Sequence, residues 1–94
     1  MRKDPVTPEV ANLVLRRDRG MCVAPLLDLS QSGTCSGHLT LDHVRESAMM
    51  GKRAPSDPAH LVTLCWFHHL GARAGANWAT SHREALRTYL RYVS

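Results

Sequence analysis

The sequence predicts an α+β fold in a single domain spanning residues 1–94, with two short strands, flanking helices and a structural metal site. Three observations predict it. Apolar residues alternate over 38–43 and run through 61–64, the pattern of two short strands. Helix start signals followed by apolar residues at helical spacing mark both ends of the chain. Three cysteines and six histidines occur in 94 residues of which only 5% are aromatic. A chain this short buries only roughly 60–65% of its unfolded surface, so its core calls for a staple.

The first helix is expected over about residues 8–19. Thr7 reads as N-cap, Pro8 as the first helical residue and Glu9 as an acid in the first turn. Val10, Leu13 and Val14 follow helical spacing, and Gly20 is the expected stop. Its last turn carries Arg16, Arg17 and Arg19, which suit either the helix C-terminus or a phosphate. Residues 21–36, broken by Pro25 and by Ser30-Gln31-Ser32-Gly33, read as a loop or irregular hairpin. The first strand ends at Asp42-His43. In a regular strand these two side chains leave opposite faces, so the strand should end or bend there if both serve one site. Residues 45–58 read as a long surface loop. A second strand follows at 61–64, and a short helix from Trp66 to about Ala74.

The last helix is expected over about 81–93. Ser81 and Glu84 fit a capping box. Leu86, Leu90 and Val93 form an apolar stripe, with Tyr89 beside it. Arg83, Arg87 and Arg91 form a neighbouring basic stripe.

Composition excludes several classes. With 44% hydrophobic and 21% charged residues the chain is neither disordered nor collagen-like. No apolar run reaches the eighteen or so residues of a membrane span, so no membrane partner is expected. The opening residues lack a signal-peptide core, and the expected compartment is a reducing cytoplasm. An odd cysteine count argues against a disulfide-rich secreted protein. The net charge of +4 suits a polyanionic partner.

Cys65-Trp66-Phe67-His68 has the C-x-x-H spacing of a zinc knuckle, whose tight turn brings two ligands to one tetrahedral ion. Cys22 and Cys35 complete a Cys3His set. Structural Zn²⁺ contributes on the order of 10 kcal/mol, enough to decide the stability of a marginal core. His69 stands beside His68. Adjacent helical residues point about 100° apart, so one can face the zinc while the other faces a second site.

Leu41-Asp42-His43-Val44, then a loop, then His60-Leu61-Val62-Thr63-Leu64-Cys65-Trp66-Phe67-His68-His69 resembles the HNH endonuclease family. The likeness is to the pattern D-H-[IV], loop, N-L-x-x-L-C-x-x-[CH]-H. Arg17-Asp18-Arg19-Gly20-x-Cys22 resembles the usual lead-in to the first zinc cysteine. The tail around Trp78-Ala79-Thr80-Ser81-His82-Arg83 is similar to small HNH proteins of phages and high-GC bacteria. The resemblance implies a ββα-metal (His-Me finger) core over about residues 35–75. It also implies hydrolysis of DNA phosphodiester bonds in a bacterial or phage-infected cell.

The resemblance assigns roles. Asp42 and His69 would hold a catalytic divalent ion, and His43 would be the general base. A carboxylate beside an imidazole suits Mg²⁺, Mn²⁺, Ni²⁺ or Zn²⁺, and histidine titrates near neutrality. The chain departs from the family at His60, where asparagine is usual. His60 would orient His43 or add a third metal ligand. Arg83, Arg87, Arg91, Lys52 and Arg53 are the candidate DNA contacts. His38 and His82 are expected to be exposed or solvated, and Trp66 and Trp78 to be packing residues. The competing readings are a catalytically inactive, zinc-stapled DNA-binding module and an accessory subunit of a phage DNA-packaging machine that works with a terminase or another packaging protein.

Overall fold

Thr7 opens the first helix. Its Oγ1 accepts the Val10 N–H at 3.2 Å, and Pro8 fills the first turn of α1, Pro8–Arg17. The computed structural model describes residues 5–27, 35–44, 55–70 and 78–93. α1 stops at Arg17, earlier than the expected residue 19. Arg19 and Gly20 both take left-handed backbone, at φ 60° and 63°. Arg19 N–H donates to Arg16 O at 3.1 Å and Gly20 N–H to Leu15 O at 2.7 Å. This paired reversal is a Schellman motif, with Arg19 where glycine is usual.

The chain then runs along the sheet, and the Val23 N–H reaches Thr63 O at 3.0 Å. A single turn of helix, α2, covers Ala24–Leu27 in the segment expected to be irregular. β1, Leu39–His43, pairs antiparallel with β2, Leu61–Cys65. The register runs unbroken from Leu39↔Cys65 to His43↔Leu61. Val44 N–H to His60 O extends the ladder at one end, and Trp66 N–H to His38 O at the other. Every residue of β2 is buried, whereas β1 starts exposed and buries fully only at Asp42. A 3-10 turn over Pro58–His60 leads into β2.

α3, Trp66–His69, begins directly after β2 and ends at Leu70, shorter than expected. The Phe67 N–H at its start donates to Ser36 O at 3.0 Å. Gly37 permits this approach. Its φ is +83°, and a Cβ there would lie 2.7 Å from the Trp66 Cβ. Trp66 itself is 42% exposed, against its expected packing role.

α4, Trp78–Ser81, and α5, Arg83–Val93, are separated by His82. Ser81 therefore lies within a helical turn, not at the cap expected of it. Glu84 pairs with Arg87. The His82 carbonyl accepts the Leu86 N–H at 3.0 Å and begins the α5 ladder. The His82 ring is half-buried and stacks on Trp78, with centroids 4.4 Å apart, so it is not solvated as expected. The core joins Val23, Val44, Val62, Leu64, Trp78, Leu86 and Leu90.

Arg17 and Asp18 fasten these layers. Arg17 Nε and Nη2 meet the two Asp18 carboxylate oxygens at 2.8 and 3.0 Å. Arg17 also donates to Pro58 O and Leu61 O, at 2.5 and 2.6 Å. Asp18 accepts the Thr63 N–H at 2.9 Å and the Tyr89 hydroxyl at 2.5 Å. Two residues thus tie α1, the 3-10 turn, β2 and α5. Arg17 is committed to the fold, not to a phosphate.

Candidate metal centres

The first centre gathers four distant pieces of chain. Cys22 follows the α1 reversal, Cys35 precedes β1, Cys65 ends β2 and His68 lies in α3. Their ligand atoms all lie within 4.8 Å of one another. His68 Nδ1 stands 3.1 Å from Cys65 Sγ, 3.6 Å from Cys22 Sγ and 3.8 Å from Cys35 Sγ. Zinc bonds of about 2.3 Å to sulfur and 2.0–2.1 Å to nitrogen give tetrahedral edges of roughly 3.5–3.8 Å. The group fits a zinc ion. Cys22, Cys65 and His68 are buried and Cys35 is exposed. The His68 ring is held edge-on by Phe67 and Trp78.

The thiols show why a cation belongs there. Although the Cys35 residue is exposed, partial desolvation of its thiol beside the other ligands, and the neighbouring Cys22, push it up to about 12. Burial also raises Cys22. Burial works against Cys65 too, yet the His68 and Ser36 backbone N–H groups and the His68 ring bring it down to about 7. One thiolate forms readily and suppresses the others. A divalent ion held by the three sulfurs would remove that conflict by stabilising them all as thiolates.

The second site lies one residue further along α3. His69 Nε2 stands 3.2 Å from Asp42 Oδ1, and Arg83 Nη1 is 2.8 Å from Asp42 Oδ2. Arg83 Nη1 also reaches the His43 carbonyl at 3.3 Å. On its other side, His69 Nδ1 is 2.6 Å from Thr40 Oγ1. Asp42 is 1% exposed. Burial raises its carboxyl, but His69, when its Nε2 bears a proton, and Arg83 hold it below the ordinary aspartate value.

The unbroken register sends Asp42 and His43 to opposite faces, with no bend between them. The His43 Nε2 lies 2.8 Å from Ser56 Oγ. The His60 imidazole lies on Asp57, Nδ1 to Oδ1 at 2.6 Å. Among the described residues, the Cys3His group is the one set of three or more such ligands that converges. Asp42, His69 and His60 therefore do not form a three-ligand group. Arg83 leaves the expected basic stripe for Asp42, Arg87 pairs with Glu84 and Arg91 is exposed. Lys52 and Arg53 lie outside the described residues. His38 is exposed as expected.

Thr40, Ser56 and Arg83 are the contributors to this neighbourhood that the motif does not name. Thr40 has a signal in the sequence, since it sits two residues from Asp42 on the same strand face. Arg83, 41 residues from Asp42, has none. No family model matches the chain, and neither a curated protein nor a solved structure matches it.

Proposed function

We propose that this protein is a metal-dependent DNA endonuclease of the HNH type. One observation carries the reading: a buried carboxylate oxygen and an imidazole nitrogen 3.2 Å apart, with His69 placed by the same helical turn that bears His68. The proposed roles follow the residues. Asp42 and His69 hold a divalent ion, Mg²⁺, Mn²⁺, Ni²⁺ or Zn²⁺. That ion, when bound, supplies Lewis-acid stabilisation of charge at the leaving oxygen of a phosphodiester. The family resemblance gives His43 the proton of the attacking water, with the Ser56 hydroxyl orienting its ring; because Asp42 and His43 leave opposite faces of β1, that role requires the substrate to reach both around the strand end. Cys22, Cys35, Cys65 and His68 hold structural zinc. The +4 charge and the exposed arginines Arg16, Arg19 and Arg91 draw the protein to DNA.

The competing readings are a zinc-stapled DNA-binding module without catalysis and an accessory subunit of a phage packaging machine that works with a terminase. The engagement of His60 by Asp57, at a position where the family pattern has asparagine, favours the first of these.

A plasmid cleavage assay separates the endonuclease from that module. The zinc-loaded protein, freed of other metals, is given each divalent ion in turn. Cleavage that needs the added ion and is lost in Asp42→Ala supports the endonuclease. DNA binding without cleavage under every ion, with or without a packaging protein, supports the module.

A further inference from the structure

His69 lies between two groups that compete for its ring proton. On one side, Asp42 Oδ1 stands 3.2 Å from Nε2. On the other, Thr40 Oγ1 stands 2.6 Å from Nδ1. A neutral imidazole carries one proton, and where it sits decides what the ring can bind. If the proton is on Nε2, it donates to Asp42 and closes the space between them. If it is on Nδ1, the Nε2 lone pair faces the carboxylate, and both are free for a shared cation.

Thr40 decides this contest through a third group. Its hydroxyl has one proton, which it donates to the Leu64 carbonyl at 2.8 Å. Toward His69 the hydroxyl oxygen can then only accept, so Nδ1 must carry the proton. Leu64 lies directly across the hairpin from Thr40, so the sheet register itself orients the hydroxyl. A β-branched side chain on a strand has few rotamers, which holds the oxygen in place.

We propose that Thr40 is the positioning residue of this site, fixing His69 with its proton on Nδ1 so that Nε2 is presented to a divalent ion shared with Asp42. The inference rests on the reading of Asp42 and His69 as a divalent-ion seat. Thr40 touches neither ion nor substrate; it acts only through His69. Groups in this position commonly change metal affinity by 10–100-fold.

The test uses the zinc-loaded protein and its Thr40→Val and Thr40→Ser variants. Valine keeps the shape and the strand preference and removes the hydroxyl; serine keeps the hydroxyl. Mn²⁺ affinity is read by electron paramagnetic resonance, and the His69 tautomer by ¹⁵N NMR of the ring without Mn²⁺. The expected result is a 10–100-fold loss of Mn²⁺ affinity in Thr40→Val, with Thr40→Ser within a few-fold of the parent. The parent should show the proton on Nδ1, and Thr40→Val should move it to Nε2. Melting temperatures of the three zinc-loaded proteins without Mn²⁺ should agree within a few degrees, which separates positioning from folding. Unchanged Mn²⁺ affinity in Thr40→Val overturns the proposal, as does a parent whose neutral ring is protonated on Nε2. A parent that takes up no Mn²⁺ overturns the ion seat, and the tautomer then still judges Thr40 by itself.

Discussion

Arg83 Nη1 stands 2.8 Å from Asp42 Oδ2, so the last helix supplies a cation to the buried carboxylate of β1. Arg83→Ala leaves that carboxylate with His69 alone. The metal-free protein should lose about 1–2 kcal/mol, the scale of a partly exposed charged hydrogen bond. Added Mn²⁺ should raise the melting temperature of the variant more than that of the parent, because the ion replaces the missing charge. An equal rise in both would show that Arg83 and the ion do not share Asp42.

His43→Ala should keep Mn²⁺ and DNA binding and reduce cleavage by about 10²–10⁴-fold, the usual contribution of a general base. Plasmid nicking measured beside a DNA mobility shift checks both halves. Full cleavage in this variant would remove His43 from the mechanism.

Removing zinc should unfold much of the chain. A structural zinc of about 10 kcal/mol exceeds or matches the whole stability of an ordinary domain. Cys65→Ser, and the parent treated with a strong chelator, should lose helical circular dichroism together with bound zinc. A parent that contains no zinc and melts like Cys65→Ser would dispose of the staple.

Asp18 should make stability fall in acid. Burial raises its carboxyl, but Arg17, Tyr89 and the Thr63 N–H outweigh burial and lower it overall. A lowered carboxyl stabilises the fold above about pH 4, where the unfolded residue is also ionised, and this is lost as pH falls through the folded value. Asp18→Asn should cost about 3 kcal/mol at pH 7. It should also flatten the decline in urea midpoint as pH falls below about 4. A parallel decline in both proteins would place the acid sensitivity elsewhere.

Arg19→Gly should stabilise the protein. Arg19 sits at φ 60° in the reversal after α1, a conformation that costs a side chain of L configuration roughly 1–2 kcal/mol. A gain of about 1 kcal/mol corresponds to about 4–8 °C in Tm for a domain of this size. A lower Tm would mean that the Arg19 side chain makes a contact worth more than the backbone cost.

The local parts of the fold were readable in advance. Alternation over 38–43 and the apolar run at 61–64 place the two strands within a residue of their observed bounds, and Thr7-Pro8-Glu9 places the start of α1. Counting ligands gave the Cys3His group. α1 ends short of the expected residue 19 because Arg19, not Gly20, is the first left-handed residue. Ser81 and Glu84 satisfied a capping pattern, yet the helical turn begins at Trp78, ahead of both. Arg83 at Asp42 and Tyr89 at Asp18 were out of reach for another reason. Each joins residues far apart in the chain, and no spacing rule links them. Asp42 and His69 were paired only through a family resemblance, for the same reason.

His68 and His69 are joined by a single peptide bond, and one faces the thiols while the other faces Asp42. One residue inserted between these two would swing His69 about 100° around the helix axis and carry it off Asp42. The spacing from Cys65 to His69 thus works as a gauge block that sets the second site by reference to the first. Any shift of His68 within the Cys3His group is passed to the Asp42 pair over one residue of backbone.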